Sequence, residues 1–188
     1  MKCLTGKTDY DRSGSKYRLK LLSFFAALCL FLSAVEYAIP KPLPFLRLGL
    51  ANLPVLLSLS KLRRKDVLLL VFLKVLGQGF ISGTFFSYVF VFSAAGSFSS
   101  GIVMLGLYTL LHKKNFLSYI GFSLAGAIAN TAAQLTVARF ILFGNNTKYI
   151  APVLLAAGTI TGFILGVFAN MFAEKSFWYA SLAKEEHS

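Results

Sequence analysis

The chain has 188 residues, of which 56% are hydrophobic, and its mean hydropathy is +0.69. Seven acidic residues face nineteen basic ones, a net charge of +12. That mix is too apolar for a soluble domain with one core. The basic residues sit in short blocks between apolar runs, which points to a lipid surface and not to nucleic acid.

A membrane span needs about 20 apolar residues, and the chain divides into six candidates. Residues 1–16 form a basic cytoplasmic tail. Span one runs from about Tyr17 to Ile39, and the apolar runs that follow it argue for an uncleaved span over a signal peptide. Span two is short, about Leu48 to Ser60. Val67 to Leu111 is 45 residues with one charge, Lys74, and suits spans three and four joined by a turn between Phe86 and Gly96. Span five covers about Phe116 to Phe143 and span six about Tyr149 to Phe172, with a cytoplasmic tail from residue 175. No alternating pattern of a β-barrel occurs, so the expected fold class is an all-α, six-helix membrane bundle over residues 17–174.

The basic residues orient it. With six spans, fourteen of them fall on one side: those at 2, 7, 12, 16, 18, 20, 61, 63, 64, 65, 113, 114, 175 and 184. The other side receives Lys41, Arg47 and Lys148. The positive-inside rule then places both termini in the cytoplasm. Gly158, Gly162 and Gly166, and likewise Gly79 and Gly83, recur every four residues. Such spacing lets helix backbones approach, within the bundle or against a partner subunit.

Motifs for enzymatic chemistry are sparse. "TGKT" at Thr5 to Thr8 resembles a P-loop end, but the required first glycine would fall on Met1. Asp9 and Asp11 sit in a solvated tail, Cys3 and Cys29 give no disulfide framework, and His112 and His187 are isolated. The chain is therefore expected to be no enzyme and to hold no metal or cofactor.

Polar residues inside the spans carry more information, because hydrocarbon penalises them. Lys74, Gln78 and Ser82 share one face of span three by their i, i+4, i+8 spacing, and Asn130 and Gln134 share one face of span five. They either bond helix to helix or line a ligand cavity. Lys74 either reaches that cavity or braces the lower bundle. Arg139 lies about 7 Å along the helix from Gly144 and either snorkels to the outer surface or binds an anionic group. Between spans one and two, Glu36 is followed by Pro40, Pro42 and Pro44, then Arg47, Asn52 and Pro54. The prolines stiffen a segment suited to cover the outer mouth of the bundle. Pro54, read as interior to a helix, frees a backbone carbonyl for a cavity. The expected small-molecule site is thus Glu36, Arg47, Asn52, Lys74, Gln78, Asn130, Gln134 and Arg139 beneath the Pro40–Arg47 lid.

Three stretches carry a family resemblance. "EYAIPKPLPFLRLGLANLPVLL", "GSFSSGIVM" at Gly96 to Met104 and "GAIANTAAQLTVA" at Gly126 to Ala138 resemble, in order, motifs of the Gx transporter family, also described as heptaprenyl diphosphate synthase component I. That family is similar to the substrate-binding S components of energy-coupling factor (ECF) transporters. The "N/D-x-P" near the second span of such subunits matches Asn52, Leu53 and Pro54. The resemblance implies a multi-pass protein of a prokaryotic cell membrane. Its loop between spans one and two would cap a vitamin-sized substrate. Its partners would be a membrane coupling subunit and two ATPase subunits. Three positions depart from the pattern. Ala129 stands where the family usually has His, Lys74 replaces a common arginine, and span one offers only Ala26, Ala27 and Ala34 for the A-x-x-x-A face that meets the coupling subunit. The alternatives are a non-catalytic membrane component of a prenyl diphosphate synthase or isoprenoid pathway, and an assembly subunit with no ligand. The substrate stays open among vitamins, flavins and isoprenoid or quinone precursors.

Overall fold

The computed structural model describes residues 5–38, 49–111, 118–144 and 147–176. No strand occurs among them. The helices are α1 (Thr5–Ala38), α2 (Leu53–Ser58), α3 (Arg64–Ile81), α4 (Tyr88–Leu111), α5 (Tyr119–Ala138) and α6 (Thr147–Lys175). A 3-10 turn, Leu50–Asn52, leads into α2, and a π-helical turn, Arg139–Phe143, prolongs α5.

Four stretches are long and apolar enough to cross a membrane: Tyr17–Ala38, Tyr88–Leu110, Tyr119–Ile141 and Thr147–Lys175. Large apolar side chains such as Phe31, Phe140, Val153 and Ile164 point outward from them, as lipid-facing residues do. α3 has 18 residues, but Arg64, Lys65, Asp66 and Lys74 lower its apolarity. The second predicted span is short, as expected, and ends within two residues of its expected bounds. The 3-10 turn and six-residue α2 together rise about 15 Å, half of a hydrocarbon core of about 30 Å. All six α2 residues are buried, so this element fills the bundle interior and meets no lipid.

Gly49 explains where that element begins. Its φ of 85° is left-handed, and the Asn52 N–H donates to its carbonyl at 2.8 Å. Pro54 then lies in the first turn of α2. Helical N–H groups there have no intrahelical acceptor, so the proline costs no hydrogen bond. The expected freed carbonyl at Pro54 is therefore not created. At the other end the Ser58 hydroxyl donates to the Val55 carbonyl at 2.7 Å, and Leu62 N–H to Ser58 O, which turns the chain into α3.

The turn between α3 and α4 spans residues 82–87, ahead of most of the predicted window. Gly83 sets it, with a left-handed φ of 62° and open space where a Cβ would lie. Gly83 is thus a turn residue and not half of a packing pair with Gly79, which packs against Phe85 and Phe90. Ser82 caps α3 by bonding the Gln78 carbonyl at 2.6 Å and the Thr84 hydroxyl at 2.7 Å, so its hydroxyl is spent at the helix end.

Contacts fix the directions of the helices. Gly77 of α3 packs on Leu30 of α1, so these two run parallel, with Arg18 and residues 61–65 at one end. α4 returns antiparallel, setting Phe90 by Gly79 and Gly101 against Val71. α5 rises again and α6 descends, with Gly158 against Thr131, Gly162 against Ala127 and Gly166 against Ile120. The three glycines of α6 therefore serve packing inside the chain. Tyr17, Leu59, Leu62, Tyr119 and Phe172 share one apolar core, so α1 starts and α6 finishes at the same, basic end. That core occupies the basic half of the bundle, wrapped around α2.

Contacts are densest among α4, α5 and α6. α1, the 3-10 turn, α2 and α3 pack as a second group beside them. The polar residues gather where the two groups meet.

Candidate functional site

Six of the eight expected residues line one interior cavity: Glu36, Asn52, Lys74, Gln78, Asn130 and Gln134. Gly49, Ser93 and Ser97 also line it. Glu36 is 1% exposed, Lys74 and Gln78 3%, Asn130 6% and Gln134 2%, so all five are withdrawn from solvent. Glu36, Asn52, Lys74 and Gln78 come from the first helix group, and Ser93, Ser97, Asn130 and Gln134 from the second.

Lys74 lies ten residues beyond Arg64, about 15 Å along α3. From there its ammonium donates to Asn52 Oδ1 and, at 3.1 Å, to Ser97 Oγ. It therefore belongs to the cavity and does not brace the basic half. One turn further, Gln78 Oε1 accepts from Ser93 Oγ at 3.0 Å. On α5 the Gln134 amide nitrogen donates to Asn130 Oδ1 at 3.2 Å. Glu36 Oε1 accepts from the Gly49 N–H at 3.2 Å, which fastens the end of α1 to the start of the 3-10 turn. Cys29 Sγ adds a second tie, donating to Ala51 O at 3.5 Å.

Several amide atoms remain unused. Among the described residues no hydrogen bond is made by Gln78 Nε2, Asn130 Nδ2 or Gln134 Oε1. The cavity thus presents two amide donors and one acceptor beside a lysine ammonium.

Below this cavity lies a second, which shares Gly49, Asn52 and Asn130 and continues along Ser100, Met104, Ser123, Thr131 and Gly158. Ser100 is fully buried, and its hydroxyl has no partner among the described residues. The two spaces measure about 10 and 20 Å³, each room for about one water. A small-molecule pocket measures hundreds of cubic ångströms. Neither space, as it stands, has room for a small molecule.

One expected residue falls elsewhere. Arg139 is exposed in the π-helical turn and lines a separate opening with Lys148, Thr136 and Gly144. It is not among the residues that line the Lys74 cavity. Arg47 and the Pro40–Arg47 lid lie outside the described residues. His112 does too.

The serines of α4 were not anticipated. Ser93, Ser97 and Ser100 are all buried, and their i, i+4, i+7 spacing is a legible one-face signal. Gly96 was likewise unforeseen as a site residue. A Cβ there would meet Asn130 Oδ1 and, at 2.9 Å, Gln134 Nε2. The bare backbone of α4 is what admits both amides.

No curated protein and no solved structure matches the chain. The profile of the heptaprenyl diphosphate synthase component I family matches residues 25–172, which takes in every residue of both cavities; the chain belongs to that family.

Proposed function

We propose that the protein is a membrane-embedded, non-catalytic subunit that binds a small molecule in the Lys74 cavity. In this reading it has six membrane passages, both termini in the cytoplasm, and the polar cavity in the outer half. It works as the substrate-binding subunit of an ECF-type transporter, with a coupling subunit and two ATPases supplied separately. The observation that carries the reading is the set of unspent amide groups beside Lys74 at the boundary of two helix groups. Bonds made only to hold helices together would leave fewer donors and acceptors open. The set suits a ligand with an anionic or strongly accepting group and an amide-like edge.

The test is to purify the full-length chain in mild detergent and identify bound small molecules by mass spectrometry. Gln78→Ala and Gln134→Ala should purify folded but carry at least tenfold less of the same compound. A folded wild-type protein that carries no small molecule, and takes up none from a cell extract, contradicts the reading.

The family description favours a second reading, a non-catalytic membrane component beside a prenyl diphosphate synthase. Affinity purification from native membranes separates the two. Recovery of a soluble prenyl synthase supports the second, and recovery of ATPase and coupling subunits supports the first.

A further inference from the structure

From Val75 to Leu111 the chain runs 37 residues without a charged side chain. The turn between α3 and α4, residues 82–87, lies inside that stretch. The other two connections at this end differ in composition. The chain between α1 and the 3-10 turn includes Lys41 and Arg47, and that between α5 and α6 runs into Lys148.

The turn also meets most of its own polar needs. Four of its six N–H groups donate within it or to α3: Ser82 to Gln78 O, Gly83 to Phe80 O and Thr84 to Gly79 O, each at 3.1 Å, and Ser87 to Thr84 O at 2.9 Å. The Ser82 hydroxyl is spent on Gln78 O and the Thr84 hydroxyl, and the Ser87 hydroxyl accepts from the Val89 N–H at 3.3 Å. A turn bonded in this way needs little water.

Its rings divide into two sets. Phe85 meets Phe80 edge-on at 5.0 Å and stacks on Phe90 at 4.8 Å, which ties the turn to α4. Phe86 stands clear of the protein at 106% exposure, and Phe80 is 77% exposed.

Depth decides what those two rings meet. α3 starts at the basic end with Arg64 and rises about 27 Å over its 18 residues, against a hydrocarbon core of about 30 Å. Beside it, Gly77 packs on Leu30, after which α1 runs eight more residues to Ala38 and α3 only four to Ile81. At about 1.5 Å per residue, α3 stops about 6 Å short of the end of α1. Two aromatic rings offer about 300–500 Å², less than the ~800 Å² per partner of a stable protein interface. Lipid therefore suits them better than a second copy of the chain.

We infer that the tip of the α3–α4 hairpin sits in lipid, with Phe80 and Phe86 against the acyl chains of the leaflet away from the basic end. The inference is independent of the Lys74 cavity and of any ligand bound there.

The experiment reads tryptophan depth in the full-length chain. Trp178→Phe removes the one native tryptophan. Phe86→Trp and Lys148→Trp are each made in that background and reconstituted in phosphatidylcholine vesicles. Both positions are exposed, so the variants should fold, which a size-exclusion profile checks. Lipid brominated on its acyl chains should remove most of the emission of Phe86→Trp, and iodide on both sides of the membrane little of it. Lys148→Trp should respond the other way round. Because an indole itself favours the interface, a second readout uses no ring. In a Cys3→Ala, Cys29→Ala background and in opened membranes, Phe86→Cys should resist an impermeant maleimide that labels Lys148→Cys. Iodide quenching of Phe86→Trp as strong as that of Lys148→Trp, or equal labelling of the two cysteines, overturns the inference and puts the turn in water. Insensitivity of Phe86→Trp to both quenchers also overturns it, because protein would then cover the ring.

Discussion

The Lys74 ammonium donates a hydrogen bond to the Asn52 side-chain oxygen, joining α3 to the 3-10 turn across 22 residues of sequence. Asn52 is the residue just before α2, so this bond ties the short central helix to the one buried lysine among the described residues. A lysine in a membrane interior is costly unless its hydrogen bonds are met, and Asn52 and Ser97 meet two of them.

Asn52→Leu should therefore destabilise the protein by about 2–3 kcal/mol, the loss of a hydrogen bond to a charged group. Adding Lys74→Met removes the ammonium that lost this acceptor and should recover part of that loss, since a buried polar pair replaced by apolar groups is often nearly neutral. Thermal unfolding in detergent of both single variants and the double variant measures the coupling. Additive single effects would mean that the two side chains do not interact.

Gly96 offers a change that separates binding from folding. Alanine there gains about 1 kcal/mol of helix propensity, which offsets an overpacking cost of about 1–3 kcal/mol. The atoms a methyl would meet are the far ends of Asn130 and Gln134, which can swing aside. Gly96→Ala should keep its melting temperature near wild type and lose most of its retained small molecule. Unchanged ligand retention in a folded variant would remove these amides from the site.

Legibility in the sequence followed range. Spacing along one helix is a local property, so the residue order alone pairs Lys74 with Gln78 and Asn130 with Gln134. The same rule applied to "FSAAGSFSS" would have found Ser93, Ser97 and Ser100. What spacing cannot report is which faces meet. That Lys74 reaches Asn52, and that Gly96 makes room for Asn130, depend on three helices packing together. The short second element was legible at about Leu48–Ser60, but the sequence did not show that all of α2 is buried inside the bundle. Gly83 misled because its four-residue spacing from Gly79 is identical for a packing seam and for a turn. Arg139 had two readings, and its exposed place at the end of α5 fits the surface anchor.

Ser100 should behave as a residue kept at a cost to stability. Its buried hydroxyl has no partner among the described residues, and such a group costs about 1–3 kcal/mol. Ser100→Ala should raise the melting temperature of ligand-free protein, and it should weaken ligand retention if the ligand reaches the second cavity. Destabilisation by alanine would show instead that the hydroxyl is satisfied within the fold.

The α6 glycines should rank by what stands opposite them. A Cβ on Gly166 would meet the Ile120 backbone Cα at 2.7 Å, whereas one on Gly158 meets the Thr131 side chain. Backbone cannot rotate aside, and a side chain can. Gly166→Ala should cost about 1–3 kcal/mol and Gly158→Ala less, while Phe163→Leu on the exposed face stays near zero. Unfolding transitions of the three purified variants test the order, and a reversed ranking would break the assignment of this seam.

Orientation is the last expectation. Thr147 is buried, with its hydroxyl donating to Gly144 O at 2.9 Å, so a cysteine there is a poor reporter. Lys148 beside it is exposed, at the end of the bundle opposite the basic end. Charge asymmetry predicts that this end faces outward. In a Cys3→Ala, Cys29→Ala background, Lys148→Cys should react with an impermeant maleimide on intact cells. Ser181→Cys should react only after the membrane is permeabilised. Cys29 packs against the 3-10 turn and donates to Ala51 O, so its replacement needs a folding check first, by size-exclusion profile. Labelling of Ser181→Cys on intact cells, with Lys148→Cys protected, would invert the orientation and place the basic end outside the cell.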